Sequence, residues 1–428
     1  MLNQHKAEII RIQMRQVYSE RRHPGVEAHV FTAGGAHASA ICTAGVSVGT
    51  HEVTFSYDGG DKWGGKGVMR AIHEADELLV PALLGEDATE QQTIDAILIG
   101  LRDQKGIGGN ATAAISAAVL KAGAEALGIP LYRHIGGARA VTLPVPGVGI
   151  LGGRRRYNSG LLTNKPSYSF LAYDFPTFTD ASYALWELQQ HWSNALMKRF
   201  QIKAARDGFS DILPGTIESD RVIWEMATET ICACGYEGKV GLQVDAASDS
   251  YYDKSSGIYY GLFNDKPRDR DEQIAFLLDM IHDYPFICVE DPLHEDDYEG
   301  TALLTKQVDI QIVGDDLFTT NPQRVREGIR TGATNTVLLK VNQIGTISES
   351  LEMIQLANDN NMGVMPCSSR GEGIAICDYC VGINAGTVRE SGLGIYGNRF
   401  LEIESELGAQ AKFAGKHGLR GNRFSIQS

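Results

Sequence analysis

Val240-Gly-Leu-Gln-Val-Asp245, Phe286-Ile-Cys-Val-Glu290, Ile310-Gln-Ile-Val-Gly-Asp315, Thr336-Val-Leu-Leu-Lys340 and Met362-Gly-Val-Met-Pro-Cys-Ser-Ser369 are short apolar runs that each end on a reactive residue. A stretch with helical spacing follows each run, and the pattern recurs at roughly 25-residue intervals. Strand, polar residue and helix in repetition predict βα units that build a parallel sheet or barrel. In a (β/α)8 barrel the C-terminal strand ends form the active-site face. Asp245, Glu290, Asp315 and Lys340 would therefore converge on one pocket. Hard carboxylate oxygens suit Mg²⁺, and a lysine beside a dication can lose its proton readily enough to serve as a base. A lone acid at a strand end reads as a solvated charge; acids and a lysine at successive strand ends read as a site.

Outward from that stretch, the 428 residues suffice for two domains and a large core. The composition, 43% hydrophobic and 21% charged, is that of an ordinary globular protein. A formal net charge of −14 argues against nucleic acid as a partner, because phosphate-backbone binding needs basic surface. A small anionic substrate remains compatible, since a local metal site outweighs net charge. Met1 to Arg15 is polar, without the apolar core of a secretory signal, and no apolar run approaches a membrane span. Seven cysteines with scattered spacing fit reduced thiols, and the expected location is cytoplasmic.

Ahead of the repeats, Ile10, Ile12 and Met14 alternate with Arg11, Gln13 and Arg15, a half-buried strand. Val26, Ala28 and Val30 give a second strand, and His37 to Cys42 a third. Lys66 to Leu84 and Ala111 to Leu127 carry helical periodicity, the latter stopped by Gly128-Ile-Pro130. Residues 1–137 thus read as an α+β domain and residues 138–428 as the barrel domain. Ser167 to Tyr173 reads as a strand, and Ala181 to Phe200 and Ser219 to Cys234 as helices. Two loops stand out. Thr43 to Gly49 contains Ser47 among small residues and by itself reads as a flexible turn. Gly152-Gly-Arg-Arg-Arg156 reads either as a solvated basic loop or as an anion-binding lid over the pocket.

Three ordered stretches carry a resemblance: Glu290-Asp-Pro-Leu-His-Glu-Asp-Asp297, Gly314-Asp-Asp-Leu-Phe-Thr-Thr-Asn321 and Leu338-Leu-Lys-Val-Asn-Gln-Ile-Gly345. With His23-Pro-Gly-Val-Glu-Ala28, Ala44-Gly-Val-Ser-Val-Gly49, Gly65-Lys-Gly-Val68 and Leu143-Pro-Val-Pro146, they make nearly the whole chain resemble the enolase (phosphopyruvate hydratase) family. The resemblance implies an α/β protein: an N-terminal α+β capping domain on a C-terminal modified (β/α)8 barrel, assembled as a homodimer or a larger set of dimers. It implies Mg²⁺, two per site, the second arriving with substrate. Asp245, Glu290 and Asp315 match the ligands of the first ion, and Ser47 matches a loop serine that helps hold the second. Lys340 matches the base that removes the proton α to the substrate carboxylate, and Arg389 stands where the family has a carboxylate-binding lysine.

The departures surround the substrate. The family's Ser-His-Arg-Ser-Gly-Glu reads Cys367-Ser-Ser-Arg-Gly-Glu372 here, so Ser368 and Ser369 replace histidine and arginine, and Arg370 is shifted by one. Its Asp-Ile-Gln-Glu-Phe reads Pro166-Ser-Tyr-Ser-Phe170, which loses an acid. Its Gly-Asp-Glu-Gly-Gly, with the acid that helps expel hydroxide, falls near Arg206-Asp-Gly-Phe-Ser210 and is absent, leaving Asp207 and Asp211 as candidate acids nearby. A loop histidine becomes arginine within Arg154 to Arg156, centred on Arg155. Ser368, Ser369, Arg370, Arg389 and Arg155 are the candidate substrate-binding residues, and the arginines suit a substrate with two or more negative charges. Three functions remain open: a Mg²⁺-dependent lyase on a 2-phosphoglycerate-like acid; another enolate-forming reaction, such as epimerisation or condensation, on a phosphorylated or phosphonate acid; and a non-catalytic relative that binds partners. The last has no need of Asp245, Glu290, Asp315 and Lys340 together.

Overall fold

A computed structural model of the chain describes residues 6–19, 22–45, 48–152, 157, 165–201, 210–211, 215–421 and 423. The first part is a three-stranded antiparallel sheet, Ile9–Tyr18, Pro24–Thr32 and His37–Thr43 in that order, backed by helices. Its first strand corrects the sequence reading at one end. The register slips between Ile9 and Arg11, so Ile9 is buried while Ile10 turns outward at 55% exposure. A one-residue bulge exchanges the faces of the residues before it.

Gly109–Leu127 packs on the inner face of that sheet. Its small residues let it lie buried along most of its length, in close contact with the strands. The expected helix over Lys66 to Leu84 forms as a continuous run over residues 69–83, in which Met69–Glu74 passes through a wider π-helical turn, Ala75–Leu79, into Val80–Leu83. Pro81 has no N–H to give to the carbonyl four residues back, and the chain widens ahead of it. A further helix, Gln91–Lys105, does not stand out in the sequence pattern.

In the second part the strands Val240–Asp245, Phe286–Glu290, Gln311–Gly314, Thr336–Leu339 and Gly363–Pro366 run parallel and hydrogen-bond in that order. Each is predominantly apolar and buried along its whole length, as a strand covered on both faces requires. Ser167–Ala172 departs from the repeat: it runs antiparallel to Val240–Asp245 on one side and to Gly147–Gly152 on the other. Its first residue, not its last, therefore reaches the level of Asp245, with Ser167 paired to it in register. Residues 386–392 then close the ring. Arg389 N donates to Pro366 O at 3.0 Å, while Val388 N donates to Val145 O at 3.1 Å and Gly392 N to Gly147 O at 2.8 Å. The result is an eight-membered barrel with one reversed strand, flanked by helices with well-formed starts such as the Asp269–Glu272 capping box.

The two parts meet at the barrel mouth and along one side. Arg102 grips Glu349 with two bonds of 2.9 Å, and Asp95 accepts from Ser348 N at 2.8 Å. At the mouth, Val53 N donates to Gln343 O and Thr43 N to Arg370 O, both at 2.8 Å. Among the described residues no single helix is long and apolar enough to cross a membrane.

Candidate active site

Asp245 and Glu290 end adjacent parallel strands and are paired in register, so their side chains enter the barrel side by side. Both are enclosed, at 2% and 0% exposure. Arg389, on the closing segment, reaches across to them: its Nη2 lies 3.0 Å from Asp245 Oδ2 and its Nε 3.2 Å from Glu290 Oε2. Lys165 also pairs with Asp245 Oδ2. Burial presses the Lys165 ammonium down to about 7, helped by the positive charge of Arg389. Burial works against the Arg389 charge, but the surrounding groups, Glu290 and then Glu390 foremost, together outweigh it and hold the guanidinium above its ordinary range.

Asp315 follows the next strand. Its Oδ2 pairs with Lys340 Nζ, and its Oδ1 accepts from Gln343 Nε2 at 2.9 Å. Burial alone would raise this carboxyl, yet Lys340 and Arg370 hold it down to about 2. Lys340 is only 3% exposed. Burial favours its neutral form, but Asp315, joined by Cys367 and Glu290, reverses the balance, so its pKa stands above the ordinary lysine value. The lowered pKa expected of a base is thus not a property of the lysine and its protein neighbours by themselves.

The three strand-end acids do not form one compact group. Asp245 and Glu290 cluster with Asp291, while Asp315 clusters with Asp291 and Asp316. Asp291 joins the halves, and its role is legible from its bonds: Oδ1 accepts from Asp315 N at 2.9 Å and Oδ2 from Asp316 N at 3.0 Å. Both oxygens are committed to the neighbouring backbone, and Asp291 itself sits at φ +45°. It is a clamp that aims Asp315 rather than a free ligand. By contrast, Asp245 Oδ1, Glu290 Oε1 and Asp316 Oδ1 are buried without a hydrogen-bond partner. Unpartnered carboxylate oxygens in an enclosed site are costly unless a cation meets them. Asp245 and Glu290, with Asp315 beside them, therefore fit a hard divalent cation such as Mg²⁺.

The remaining sequence candidates are spread unevenly. Arg370 is 1% exposed, and its guanidinium is engaged by Glu52 of the capping domain, through Nη2 and through Nε at 3.2 Å. Ser368 Oγ shares a hydrogen bond of 3.0 Å with Tyr396 OH. Ser369 Oγ is buried and unpartnered. Glu372 organises this turn, accepting from Ser369 N at 3.1 Å and Arg370 N at 2.8 Å. Ser47, Arg155 and Asp207 lie outside the described residues, and Asp211 is described only as part of the short strand Ser210–Asp211. The chain just after Ser47 is fastened to the barrel, with Thr50 N donating to Glu295 Oε2 at 3.1 Å and His51 Nε2 lying 2.9 Å from Asp296 Oδ1.

Sequence reasoning passes over Asp291, Asp316, Glu52, Lys165 and Glu390. The doublets Glu290-Asp291 and Asp315-Asp316 are visible as signals. Glu52 and Lys165 are not, since nothing local reveals which distant loop folds over a barrel mouth.

The comparisons with known proteins agree with this architecture. Residues 9–135 match the enolase N-terminal domain, and residues 140–421 match the enolase C-terminal TIM barrel domain. An enolase of Methanocaldococcus jannaschii is 35% identical over 421 residues, covering 96% of this chain and 98% of that one. An enolase of Methanopyrus kandleri is 37% identical over 424 residues, with 95% and 97% covered. An enolase of Methanococcus vannielii is 34% identical over 422 residues, with 96% and 98% covered. With both domains matched and relatives aligned end to end, this chain belongs to the enolase family and is an enzyme of the enolase-like, carbon–oxygen lyase kind.

Proposed function

We propose that the protein is a Mg²⁺-dependent lyase that removes the proton α to the carboxylate of a 2-phosphoglycerate-like acid. The observation that carries this reading is the pairing of Lys340 with an enclosed carboxylate centre whose Asp245 Oδ1 and Glu290 Oε1 lack partners. Asp245, Glu290 and Asp315 hold the first ion, and Ser47 assists with a second that accompanies substrate. Bound Mg²⁺ supplies the positive charge that offsets Asp315 beside Lys340 and stabilises negative charge on the substrate carboxylate. Lys340 Nζ takes the α-proton, and the burial of Lys340 keeps bulk water from competing for it. Arg389 and Lys165 present positive charge on the wall that carries Asp245 and orient the anionic ends of the substrate. Family likeness further supports a homodimer in the cytoplasm, which light scattering on the purified protein and cell fractionation would check.

A second reading keeps proton abstraction and changes the subsequent step. Its support is specific: Ser169, Ser368 and Ser369 stand where the family's motifs carry an acid, a histidine and an arginine, and Arg370 is engaged by Glu52. One experiment separates the readings. The protein is incubated with 2-phosphoglycerate and Mg²⁺ in deuterated water and followed by NMR. The lyase reading expects both α-proton exchange and phosphoenolpyruvate, at about 1 per second or faster, and expects Lys340→Ala to abolish both. Exchange without product would sink the lyase reading in favour of the second. Neither event would reject this substrate for both.

A further inference from the structure

Glu390 follows Arg389 on the segment that closes the barrel, and its backbone is unusual. In an extended strand successive side chains point to opposite faces, so a residue after an inward Arg389 should point outward. Glu390 instead adopts φ +53°, a left-handed conformation uncommon for a charged side chain. Hydrogen bonds on both sides hold the twist: Arg389 N to Pro366 O at 3.0 Å, and Gly392 N to Gly147 O at 2.8 Å. Backbone strain fixed by its surroundings in this way is characteristic of functional positions. Its effect here is to bring Arg389 and Glu390 to the same side. Glu390 Oε1 accepts from Ser169 Oγ at 2.9 Å and lies 3.6 Å from Arg389 Nη2.

The reach from the closing segment to Ser169 crosses the strand Gly147–Gly152, which presents glycine where a side chain would intervene. Gly149 is the register partner of Ser169, and a Cβ on Gly147 would come within 2.8 Å of Leu171 and 3.4 Å of Glu390 N. Ser169 is the position at which the family's strand motif carries a carboxylate and this chain does not. Glu390 thus brings a carboxyl group, one-quarter exposed, to the place from which the strand's own acid is missing. The barrel order then sets its relation to Lys340. Three strands separate Thr336–Leu339 from Ser167–Ala172 in either direction around the ring, so Ser169, to which the Glu390 side chain reaches from the closing segment, stands on the wall opposite Lys340. A base on one wall and an acid on the other is the arrangement that lets a proton and a leaving group depart from opposite faces of a substrate. Arg389 does not neutralise Glu390 alone, because it is already ion-paired with Asp245 and Glu290.

We propose that Glu390, positioned by Ser169, is the acid of the second step, a role that rests on the lyase reading above. Lys340 takes the α-proton, and the electron pair left on carbon forms the new C=C bond as the β C–O bond breaks. The departing oxygen takes that bond's electron pair and the Glu390 proton, leaving as water. The Glu390 carboxylate and the Lys340 ammonium then return to their starting states through solvent, with no oxidant or co-reactant needed.

The test uses the full-length Mg²⁺-loaded enzyme with 2-phosphoglycerate in deuterated water, reading α-proton exchange and phosphoenolpyruvate separately. Glu390→Gln should retain measurable exchange while product formation falls about 10²-fold or more, the usual worth of a general acid. Ser169→Ala should show the same split with a smaller loss, which keeps the proposal testable should Glu390→Gln fold poorly. Product formation unchanged in both variants overturns the proposal and leaves the lyase reading standing. Loss of exchange and product in parallel overturns it also, as does Lys165→Met giving the split while Glu390→Gln does not. Wild-type protein that neither exchanges nor eliminates removes the underlying reading and this role with it.

Discussion

Lys340 and Arg370 are both cations enclosed at the barrel mouth, and their partners separate their jobs. Lys340 pairs with Asp315, an acid that also fits a metal ion, so its charge balance shifts when that acid is engaged. Arg370 pairs with Glu52, which further accepts from Gly49 N at 3.2 Å and from Gln343 Nε2 at 3.3 Å. That pair is a fixed tie between the capping domain and the barrel. Both partners are nearly fully enclosed, with side-chain exposures of 2% and 4%. Removing one member of such a pair leaves a buried charge without its counterion, at a cost of about 3–5 kcal/mol. Glu52→Gln should therefore lower the unfolding free energy by roughly 3 kcal/mol in urea denaturation. A loss below about 0.5 kcal/mol, typical of a neutral surface change, would show that Arg370 finds adequate partners elsewhere. At this scale the sequence exposes the acids and the lysine, because each ends an apolar run. It conceals Glu52, whose significance depends on a residue more than three hundred positions away.

Elements are legible where local pattern and tertiary environment agree. Val240–Asp245 and Phe286–Glu290 read as buried strands because both faces are covered and the runs are mostly apolar up to their terminal acids. Ser167–Ala172 also reads as a strand, but its reversed direction is hidden, since a buried strand has the same composition either way. Gln91–Lys105 is hard to see in the sequence because its buried face is narrow, with Ile94, Asp95 and Leu98 turned inward. Gly109–Leu127 is recognisable by its alanines, yet the pattern does not show that Lys121 tucks beneath the sheet. There its Nζ donates to Ser39 O at 3.0 Å. Burial lowers this ammonium to about 8 from 10.5. Below pH 8 the amine is protonated in both folded and unfolded chains, and the folded state bears the full cost of enclosing it. Between about 8 and 10.5 the unfolded chain binds more protons, so this group's contribution to stability rises with pH and levels off above. Lys121→Met should thus be more stable than wild type at pH 7, with the difference shrinking between pH 8 and 10.5. Thermal melts of both proteins across that window check it, and a pH-independent difference would contradict the assignment.

At the scale of the whole molecule, the capping domain and the barrel are joined by two sets of contacts with different chemistry. Along the side, Arg102–Glu349 and Asp95–Ser348 are satisfied within the protein. At the mouth, satisfied ties such as Glu52–Arg370 surround carboxylate oxygens that have no partner, on Asp245, Glu290 and Asp316. The mouth is therefore where the fold holds back stability that a ligand can return. A cation that binds the folded chain and not the unfolded one adds RT ln(1 + [L]/Kd), about 2.7 kcal/mol at a hundredfold excess over Kd. Mg²⁺ should raise the melting temperature of the protein, and EDTA should reverse the rise. Glu290→Gln keeps the size of the side chain and removes its charge, so it should fold and lose most of the Mg²⁺-dependent increment. Without metal this variant should match or exceed wild type: burial first, and then Asp315, disfavour the Glu290 carboxylate by more than Arg389 favours it, and Arg389 keeps Asp245 as a counterion. Glu52→Gln offers the contrast: its melting point should fall with and without Mg²⁺ while the increment persists. If both variants retained the full increment, Mg²⁺ would be acting at another site, and the assignment of Asp245, Glu290 and Asp315 to the metal would fail.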